Sequence, residues 1–411
     1  MKYGLIGEKL GHSFSKEIHE ALTDYVYELV ELDRDEVESF IQAREFAAIN
    51  VTIPYKEAVI PYLDEIDEVA KEIGAVNCVV NRGGGLFGYN TDFFGMTRLI
   101  ERLGVGLSGK TVAILGTGGT SKTARAVARS MGAGKIIVVS RTPKVGEIDY
   151  DTLYSLGESV EFIINTTPVG MYPKVDYAPI EVEKFPRLEG LVDAIYNPAR
   201  TRLVSEAVAH GIPAMGGLYM LVAQAVAAIE IFKDTRLDAS ECERVYGKIA
   251  SEKENIVLIG MPSSGKTTVG KYLAEALGRE LVDTDEIAVR LAGMPIPEIF
   301  EKYGEAKFRE IEAEAVAEAA KMSGVIIATG GGAVLRPLNV ERLKRNGRLF
   351  FLDRSLELLI PTEDRPLSST RRAVEERYRE RYPIYNTVAD EIVDGDGAAL
   401  EVGERIIELI K

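Results

Sequence analysis

The sequence predicts an α/β protein in which helices cover largely parallel sheets. Apolar, β-branched runs alternate with helical stretches along the whole chain, and two glycine loops each follow such a run and open a helix. The runs are continuously apolar rather than alternating, which is typical of strands buried on both faces. The strand-like runs include 111–115, 136–139, 162–164, 256–259 and 325–328.

Composition narrows the class of protein. The 411 residues suit roughly two to four domains, and 46% hydrophobic residues are enough for real cores. A formal net charge of −15 argues against nucleic acid as a general partner. Because no run of eighteen apolar residues appears and the N-terminus has no signal-peptide pattern, we expect no membrane partner. Cys78 and Cys242 lie too far apart to suggest a metal pair, and reduced thiols fit a cytoplasmic protein.

The two glycine loops, which begin at Gly116 and Gly260, predict two nucleotide sites in separate domains. One fold rarely needs two such loops. The segment between them at 233–255 is charged and helical in composition, and we expect a domain boundary near 251–254. That segment has no Gly/Ser/Pro tract, so a long flexible linker is not expected.

The loop at 116–121 is a G-x-G-G variant of the dinucleotide-binding fingerprint. Its glycines let the backbone approach a pyrophosphate, and the following helix N-terminus favours negative charge. The next strand ends at Val139 and is followed by Arg141 and Lys144, where an NAD-specific site has an acidic residue. These cations suit a 2′-phosphate and predict NADP. The alternative is that Arg141 is a solvated loop cation.

Several polar residues of the first half also follow strand-like runs. Ser13 and Ser15 are two residues apart and can point the same way in an extended stretch. Lys56 follows a buried strand, and Asn77 and Asp92 follow at later turns. Taken singly, each is compatible with ordinary turn or capping chemistry.

Taken together, the ordered motifs of the first half resemble shikimate dehydrogenase, to about residue 235. The matching motifs are His12-Ser13-x-Ser15, Asn50-Val51-Thr52-x-Pro54-x-Lys56, Gly74-Ala75-Val76-Asn77, Asn90-Thr91-Asp92, Asn165-Thr166-Thr167-Pro168-x-Gly170-Met171, Asp193-x-x-Tyr196-Asn197-Pro198 and Gly217-Leu218-x-Met220-Leu221-Val222-x-Gln224. Two positions depart from the family: Lys16 replaces a usual proline, and Ser140 replaces a common asparagine in the 2′-phosphate turn.

The resemblance implies a substrate that is a small polyhydroxylated ring with a carboxylate. Ser13 and Ser15 would bind the carboxylate, while Lys56 would donate a proton or position the reacting oxygen, and Asp92 would orient both. The alternative for Lys56 and Asp92 is a structural ion pair. The hydroxyl-binding residues would be Thr52, Asn77, Tyr196 and Gln224. The NADP-binding residues would be Gly116, Gly118, Gly119, Thr120, Ser140, Arg141, Thr142, Lys144, Ala194 and Gly217.

The loop at 260–267 matches the phosphate-loop pattern G-x-x-x-x-G-K-[ST] in full. In such a loop, backbone amides cradle phosphates, Lys266 contacts the β- and γ-phosphates, and Thr267 ligates magnesium. Asp283 and Asp285 follow the next strand and share one side. In this position the two carboxylates could hold magnesium through water and accept a proton from an attacking hydroxyl.

The second half resembles shikimate kinase over 253–411. By that resemblance Asp285 binds ring hydroxyls and acts as base, Arg309 and Arg381 clamp the substrate carboxylate, and Gly331 lies at the ring. The alternative for the two arginines is surface salt bridging. The ATP-binding residues would be Ser263, Ser264, Gly265, Lys266, Thr267, Thr268 and Arg365, with Thr267 and Asp283 at the metal. Arg365 would lie on a lid that is short for the family.

We therefore expect an N-terminal α/β substrate domain over 1–98 that is completed by the helices at 211–245. A Rossmann-like NADP domain would occupy 99–210, and a P-loop kinase domain with a parallel sheet would occupy 253–411. The expected function is NADPH-dependent reduction of 3-dehydroshikimate to shikimate, and then ATP- and Mg²⁺-dependent phosphorylation at the 3-hydroxyl.

Three alternatives stay open: an NAD-using quinate/shikimate dehydrogenase in the first half, a nucleoside monophosphate kinase in the second, and one half that is a non-catalytic regulatory module. Apart from the two small-molecule substrates, 3-dehydroshikimate and shikimate, no partner is predicted. The oligomeric state is left open.

Overall fold

A computed structural model describes residues 1–11, 13–361 and 370–410. His12 and the predicted lid residue Arg365 lie outside the described residues. No helix within these ranges is long and apolar enough to cross a membrane.

The chain divides into two compact units, Met1–Ala250 and Ser251–Lys411. The first unit contains two sheets and the second unit contains one. The α/β class with parallel sheets that the sequence predicts is confirmed.

The first sheet of the first unit is mixed and has the strand order β2-β1-β3-β5-β6-β4. Strand β1, second from one edge, runs parallel to both neighbours, while β5 is antiparallel to β3 and β6. Its strands are β1 (Tyr3–Gly7), β2 (Tyr27–Glu31), β3 (Ala48–Val51), β4 (Glu65–Ile66), β5 (Cys78–Arg82) and β6 (Gly85–Tyr89). The accompanying helices are α1 (Ser15–Leu22), α2 (Val37–Ala43) and α3 (Glu68–Ile73).

The second sheet is parallel and has the order β11-β10-β9-β7-β8. Its strands are β7 (Thr111–Leu115), β8 (Lys135–Val139), β9 (Phe162–Asn165), β10 (Gly190–Asp193) and β11 (Ala214–Met215). The helices that go with it are α4 (Thr91–Leu103), α5 (Gly119–Ser130), α6 (Tyr150–Ser155), α7 (Arg202–Ala209), α8 (Leu218–Lys233) and α9 (Ala239–Lys253). The order reverses between β7 and β9, and ligands of such sheets bind at the carboxyl ends beside this point.

The strand β11 adds a short strand to the second sheet within the segment 211–245, whose helices we expect to complete the first domain. Ala214 and Met215 pair with Leu191 and Val192 of β10. Two residues are too short to show a strand pattern in the sequence. The parallel pairing with β10 therefore could not be predicted from it.

Helices α4 and α8 join the two sheets of the first unit. Gly95 makes their close approach possible, because a Cβ at this position would lie 2.6 Å from the Met220 carbonyl oxygen and 3.0 Å from the Gln224 Cβ. A buried apolar cluster that includes Leu99, Val222 and Val226 fills the space between these helices and the second sheet.

The second unit is built on a parallel sheet with the order β13-β14-β12-β15-β16. Its strands are β12 (Asn255–Ile259), β13 (Leu281–Asp283), β14 (Ile326–Ala328), β15 (Gly347–Asp353) and β16 (Glu391–Asp394). Its helices are α10 (Lys266–Leu277), α11 (Thr284–Ala292), α12 (Ile296–Ala319), α13 (Pro337–Asn346), α14 (Arg371–Val388) and α15 (Ala399–Ile410). Helix α12 is interrupted at Gly304, whose φ of 76° is not helical.

Short 3-10 turns complete the described structure of both units. They lie at Ile60–Tyr62, Gly157–Ser159, Val182–Lys184, Ala333–Leu335 and Leu356–Leu358.

Candidate active sites

Lys56 and Asp92 form a largely buried ion pair beside the carboxyl ends of β3 and β6 in the first sheet. Lys56 Nζ donates to Asp92 Oδ2 at 2.5 Å, and the two side chains are 16% and 5% exposed. Lys56 ends the turn that follows β3, and its carbonyl accepts from the Val76 amide at 2.8 Å. Asp92 lies in the first turn of α4, where Asn90 caps the helix by accepting from the Phe93 amide. The two strand-end turns thus bring together residues that lie 36 positions apart.

Asn77 connects this pair to its surroundings. Its Nδ2 donates to Asp92 Oδ1 at 2.9 Å and lies 3.4 Å from Gln224 Oε1, while its Oδ1 accepts from the Thr91 amide at 2.7 Å. Both Asp92 oxygens therefore have donors, Lys56 on one and Asn77 on the other. Four residues that the resemblance places at the substrate, Lys56, Asn77, Asp92 and Gln224, are joined in one hydrogen-bonded network.

The network continues into the core through residues for which we predicted no role. Asn50 Nδ2 donates to the Asn77 carbonyl at 3.2 Å, and Asn50 Oδ1 accepts from the Tyr27 hydroxyl at 2.7 Å. The Tyr27 ring stacks on His19 with ring centroids 3.9 Å apart. Both rings are buried, and burial lowers the pKa of His19 to about 3. His19 is therefore neutral at physiological pH.

The predicted carboxylate-binding serines lie at the start of α1. Ser13 Oγ donates to Ser15 Oγ at 3.1 Å, so the two hydroxyls point to the same place. The Phe14 ring between them contacts the Tyr196 ring, with centroids 5.2 Å apart. Thr52 begins the turn that ends at Lys56, and its amide donates to the Ile6 carbonyl at 3.0 Å.

The first glycine loop lies at the carboxyl end of β7, beside the point where the strand order reverses. Gly116 has a φ of 104°, and a Cβ there would lie 2.9 Å from Thr166 Oγ1, so only glycine fits between the strand ends. Ser121 Oγ fixes the loop by donating to the Gly116 carbonyl at 2.7 Å. The space above Gly118 and Gly119 is open among the described residues, so this cradle fits a pyrophosphate.

The turn after β8 carries the predicted 2′-phosphate residues. Ser140 is buried and its Oγ accepts from the Thr142 amide at 3.2 Å, which shapes the turn. Arg141 and Lys144 are exposed, and neither side chain has a carboxylate within 4.0 Å in the part of the chain that the structure describes. Two cations are thus available to an anionic group at this turn.

Asp193, at the end of β10, holds together the loops that follow β9 and β10. It is fully buried and accepts from Asn165 Nδ2 at 2.9 Å, from the Ile195 amide at 3.0 Å and from the Thr201 hydroxyl at 2.7 Å. Burial raises the pKa of Asp193 to about 7, against the effect of these three donors. Asp193 belongs to one of the matching motifs, yet we predicted no role for it. Its position at a strand end next to Ala194 was the available signal.

Ala194 and Gly217, two predicted cofactor residues, are in backbone contact. A Cβ at Gly217 would lie 2.3 Å from the Ala194 carbonyl oxygen. Because Asp193 fixes the amide of Ile195, it also fixes the backbone on both sides of Ala194.

The phosphate loop of the second unit surrounds the Lys266 ammonium. Lys266 is buried, and its Nζ donates to the carbonyls of Gly260 at 2.9 Å and Met261 at 2.8 Å. Ser263 and Gly265 adopt positive φ values of 65° and 92°, as a tight phosphate-binding turn requires. Ser264 is buried within the same loop, and Thr268 follows in the first turn of α10.

Two oxygen ligands suited to magnesium lie beside this loop. Thr267 Oγ1 donates to Asp283 Oδ2 at 2.9 Å, and Asp283 Oδ1 caps α11 by accepting from the Asp285 amide at 2.9 Å. A hydroxyl and a carboxylate in contact at the phosphate end of the loop fit a hard cation that keeps several waters. Asp285 lies in the first turn of α11, next to this pair.

A cavity of about 450 Å³ opens from the phosphate loop toward β13 and β14. Asp285 and Glu312 meet over Gly330, where a Cβ would lie 2.6 Å from Asp285 Oδ1 and 2.9 Å from Glu312 Oε1. The bare backbone of Gly332 allows the Arg309 guanidinium to lie against it. An apolar wall comes from two aromatic residues for which we predicted no role, Phe300 and Phe308. Carboxylates, a guanidinium and aromatic rings together suit a ring that carries hydroxyls and a carboxylate.

Arg309 is held by two glutamates. Its NH1 donates to Glu312 Oε2 at 2.8 Å and its NH2 donates to Glu305 Oε1 at 2.9 Å. Glu312 is 4% exposed, whereas Glu305 is 50% exposed. Burial raises the pKa of Glu312, and the charge of Arg309 opposes that rise. The spacing of three residues between Arg309 and Glu312 on one helix was the signal that could have identified Glu312.

Arg381 and Gly331 also meet at the cavity. Arg381 NH1 donates to the Gly331 carbonyl at 3.1 Å, and the Tyr385 hydroxyl, one turn later on α14, donates to the Gly260 carbonyl at 3.0 Å. Helix α14 thereby fixes the glycine loop after β14 against the phosphate loop. Arg365 lies outside the described residues, so its place is a prediction only.

Fold and site together define the class of each unit. The first unit combines a dinucleotide-type glycine loop with a lysine–aspartate pair, as in an α/β oxidoreductase. The second unit combines a phosphate loop with a cavity for the acceptor substrate that is lined by aspartate and arginine side chains, as in a P-loop phosphotransferase.

Comparison with known proteins gives the particular families. A sequence model described as the shikimate dehydrogenase substrate binding domain matches residues 5–79, and one described as shikimate kinase matches residues 262–411. Shikimate dehydrogenase (NADP(+)) of Clostridium perfringens is 35% identical over 265 residues, which are 60% of this chain and 97% of that protein.

Two solved structures resemble the first unit. A chorismate mutase/shikimate 5-dehydrogenase fusion protein from Clostridium acetobutylicum is 36% identical with a TM-score of 0.57, and the match covers 60% of this chain and 96% of that one. Shikimate 5-dehydrogenase from Thermus thermophilus, in complex with NADP(H) and shikimate, is 27% identical with a TM-score of 0.55 and covers 60% and 99%. The chain belongs to the shikimate dehydrogenase family, and its second unit carries a shikimate kinase domain, so it is a dehydrogenase–kinase fusion.

Proposed function

We propose that the first unit reduces 3-dehydroshikimate to shikimate with NADPH and that the second unit transfers the γ-phosphoryl group of ATP to the 3-hydroxyl of shikimate. The observation that carries the proposal is common to both units. In each, a nucleotide-type glycine loop stands at the carboxyl end of a parallel sheet, in the same unit as a polar cluster suited to a hydroxylated carboxylate.

In the first unit, Lys56 is proposed to donate the proton that the nascent alkoxide needs. NADPH, when bound, supplies the hydride to the ketone carbon. Asp92 holds the Lys56 ammonium at 2.5 Å, and Asn77 holds Asp92 from the other side. The ammonium is thereby kept in one direction, which general acid catalysis requires.

The substrate of the first unit is proposed to bind through polar side chains that the fold already positions. Ser13 and Ser15 point to one location and suit the carboxylate, while Thr52, Asn77, Gln224 and Tyr196 suit the ring hydroxyls. Phe14 links the two serines to Tyr196 through its ring contact. These roles are the ones that the family resemblance implies for this sequence.

NADP rather than NAD is supported by the turn after β8. Arg141 and Lys144 are exposed and close no ion pair with the described residues, so both cations are available to a 2′-phosphate. The Clostridium perfringens relative is named for NADP(+), and the Thermus thermophilus structure contains NADP(H).

In the second unit, Asp285 is proposed to accept the proton of the attacking 3-hydroxyl. Arg309 and Arg381 would bind the substrate carboxylate, and Gly331 would contact the ring. Lys266 would leave its loop carbonyls for the β- and γ-phosphates. Thr267 and Asp283 would hold magnesium, which neutralises the charge on the phosphates. The cavity of about 450 Å³ that joins these groups is large enough for a small ring acid.

The fusion has a chemical rationale, because the hydroxyl that the first reaction creates is the one that the second reaction phosphorylates. The test is a set of substrate comparisons on the purified full chain. NADPH should reduce 3-dehydroshikimate faster than NADH does, and ATP should be consumed with shikimate but not with nucleoside monophosphates. Preference for NADH over NADPH together with NAD+-dependent oxidation of quinate, or steady ATP use with a nucleotide alone, would establish one of the alternative functions instead.

A further inference from the structure

Arg354 lies on the side of the phosphate loop away from the acceptor cavity. The strand β12, which leads into the loop, has β14 and β13 on one side and β15 and β16 on the other. The acceptor residues Asp285 and Gly331 follow β13 and β14, whereas Arg354 directly follows β15. The acceptor substrate occupies the ends of β13 and β14. The nucleotide must therefore lie over the phosphate loop and the ends of β15 and β16.

The end of β15 runs along the phosphate loop itself. A Cβ at Gly260 would lie 3.0 Å from the Leu352 carbonyl oxygen, and a Cβ at Gly265 would lie 3.5 Å from Arg354 NH1. Gly265 immediately precedes Lys266 and has a φ of 92°, so its bare backbone faces the guanidinium. Arg354 therefore places a positive charge next to the amides that cradle phosphates.

The Arg354 guanidinium has no internal partner among the described residues. Its Nε is buried and makes no hydrogen bond there, and no carboxylate of the described chain lies within 4.0 Å of it. Arg345 also has a buried Nε that makes no hydrogen bond, but its guanidinium pairs with Glu341 at 2.6 Å. In the part of the chain that the structure describes, Arg354 has no such pairing.

Asp396, a carboxylate that responds to the charge of Arg354, is already engaged. Asp396 accepts from the Ser355 amide at 2.9 Å and from the Ser355 hydroxyl. These hydrogen bonds from Ser355 lower the pKa of Asp396 most, and the charge of Arg354 lowers it to a lesser extent. Asp396 thus keeps the Arg354 backbone in place through its neighbour and leaves the guanidinium free.

We propose that Arg354 binds the phosphate chain of the nucleoside triphosphate, as a second cation beside Lys266. A planar guanidinium suits two phosphate oxygens at once, and an N–H that is buried without a partner gains most from such an acceptor. The proposal rests on the proposed kinase function and adds a nucleotide-binding residue that no motif of the sequence indicates.

The test measures binding of Mg·ADP and of Mg·tripolyphosphate to the full chain, the second by displacement of ADP. Arg354→Gln should lower the affinity for both ligands by about tenfold, because a charge-assisted hydrogen bond to phosphate is lost. Arg354→Lys should retain part of the affinity because it keeps the charge. The matched control is Arg372→Gln, which removes the same charge from a side chain that is 89% exposed and should leave both affinities within about twofold.

Two results would overturn the proposal. Either Arg354→Gln binds ADP as the unchanged chain does, or it loses ADP affinity but not tripolyphosphate affinity, which would mean contact with the base. Thermal unfolding of each variant shows whether it is folded, and Arg354→Lys serves if Arg354→Gln is not. A chain that binds ADP through Arg354 yet fails to phosphorylate shikimate would refute the kinase proposal alone.

Discussion

The two units balance the charges of their candidate sites in different ways. In the first unit Lys56 and Asp92 neutralise each other, and Asn77 occupies the remaining Asp92 oxygen. In the second unit the Arg309 cation is shared between a buried glutamate, Glu312, and a half-exposed one, Glu305. The Lys56–Asp92 pair is therefore satisfied without a ligand. Arg309, in contrast, has one partner, the exposed Glu305, that solvent or a ligand can replace.

This difference suggests how each site meets its substrate. A closed lysine–aspartate pair is suited to moving a proton and contributes little to binding an anion. An arginine that can exchange the exposed Glu305 for a substrate carboxylate, while Glu312 keeps its direction, is suited to binding. Single substitutions in each unit test that division, from the largest expected effect to the smallest.

Removal of the ammonium should damage chemistry in the first unit. We expect Lys56→Ala to slow the turnover of the dehydrogenase reaction by about 10²- to 10⁴-fold, the usual contribution of a general acid, with a much smaller change in KM. The measurement is steady-state NADPH oxidation in the presence of 3-dehydroshikimate. Lys71→Ala, which breaks an exposed pair with Glu68, is the control and should change neither value. A Lys56→Ala defect confined to KM would make the pair a binding element.

Removal of the guanidinium should damage binding in the second unit. Arg309→Ala should raise the KM for shikimate by about 10- to 100-fold, since a charge-assisted contact is lost and Glu312 is left buried without its partner. Glu305→Gln should instead leave that KM unchanged or lower it by up to about threefold, because it removes only the exposed competitor. If Glu305→Gln raised the KM as much as Arg309→Ala, Glu305 would be part of the substrate site.

The exposed cation of the cofactor turn should affect one cofactor only. Arg141→Ala should raise the KM for NADPH by about tenfold and leave the KM for NADH unchanged, because only NADPH carries the 2′-phosphate. Parallel kinetics with the two cofactors provide the measurement. If the KM values for NADPH and NADH rose equally, Arg141 would be a solvated loop cation with no contact to the 2′-phosphate.

The buried His19 behind the first site should contribute stability that is lost in acid. The pKa of His19 is lowered from 6.5 to about 3, so between these values the unfolded chain takes up a proton that the folded chain excludes. The contribution of His19 to the free energy of unfolding should therefore fall by up to about 1.4 kcal/mol per pH unit as pH falls from 6.5. Asp193, whose pKa burial raises to about 7, contributes in the opposite direction over the same range, so the His19 share is measured by substitution.

His19→Phe keeps a ring against Tyr27 and removes the titrating group, so its free energy of unfolding should fall less with falling pH than that of the unchanged chain. Denaturant unfolding at about pH 7, 6 and 5, which brackets the ordinary histidine pKa, gives the slope. His210→Gln is the matched control, because it removes a histidine whose side chain is exposed. Equal slopes for the unchanged chain and His19→Phe would mean that another group sets the acid limit.

The sequence was sufficient for the parts of the protein that local chemistry determines. The phosphate loop at 260–267 and the glycine loop at 116–121 need particular residues at fixed spacing, and both lie at strand ends as predicted. The pairing of Lys56 with Asp92 was expected from the family resemblance. Its distance and its link to Asn77 depend on how two turns meet, which is a tertiary property.

The residues that were missed act through such tertiary contacts. Asp193 ties two loops together from a position that looks like any strand end, and Glu312 looks like one more acid on an acidic helix. Arg354 follows an apolar strand in the sequence, with nothing to show that β15 lies beside the phosphate loop. The pairing of Ala214 and Met215 with β10 has the same cause, because sheet order is set by packing and not by the strand's own residues.

The most direct test of the central claim is a coupled reaction on the purified full chain with 3-dehydroshikimate, NADPH, ATP and Mg²⁺. We predict that one ADP forms for each NADPH oxidised. Lys266→Ala should stop the sequence at shikimate, and Lys56→Ala should form ADP only when shikimate is added. ADP formation from 3-dehydroshikimate without NADPH, or loss of both activities in either folded variant, would contradict the assignment of two separate enzymes.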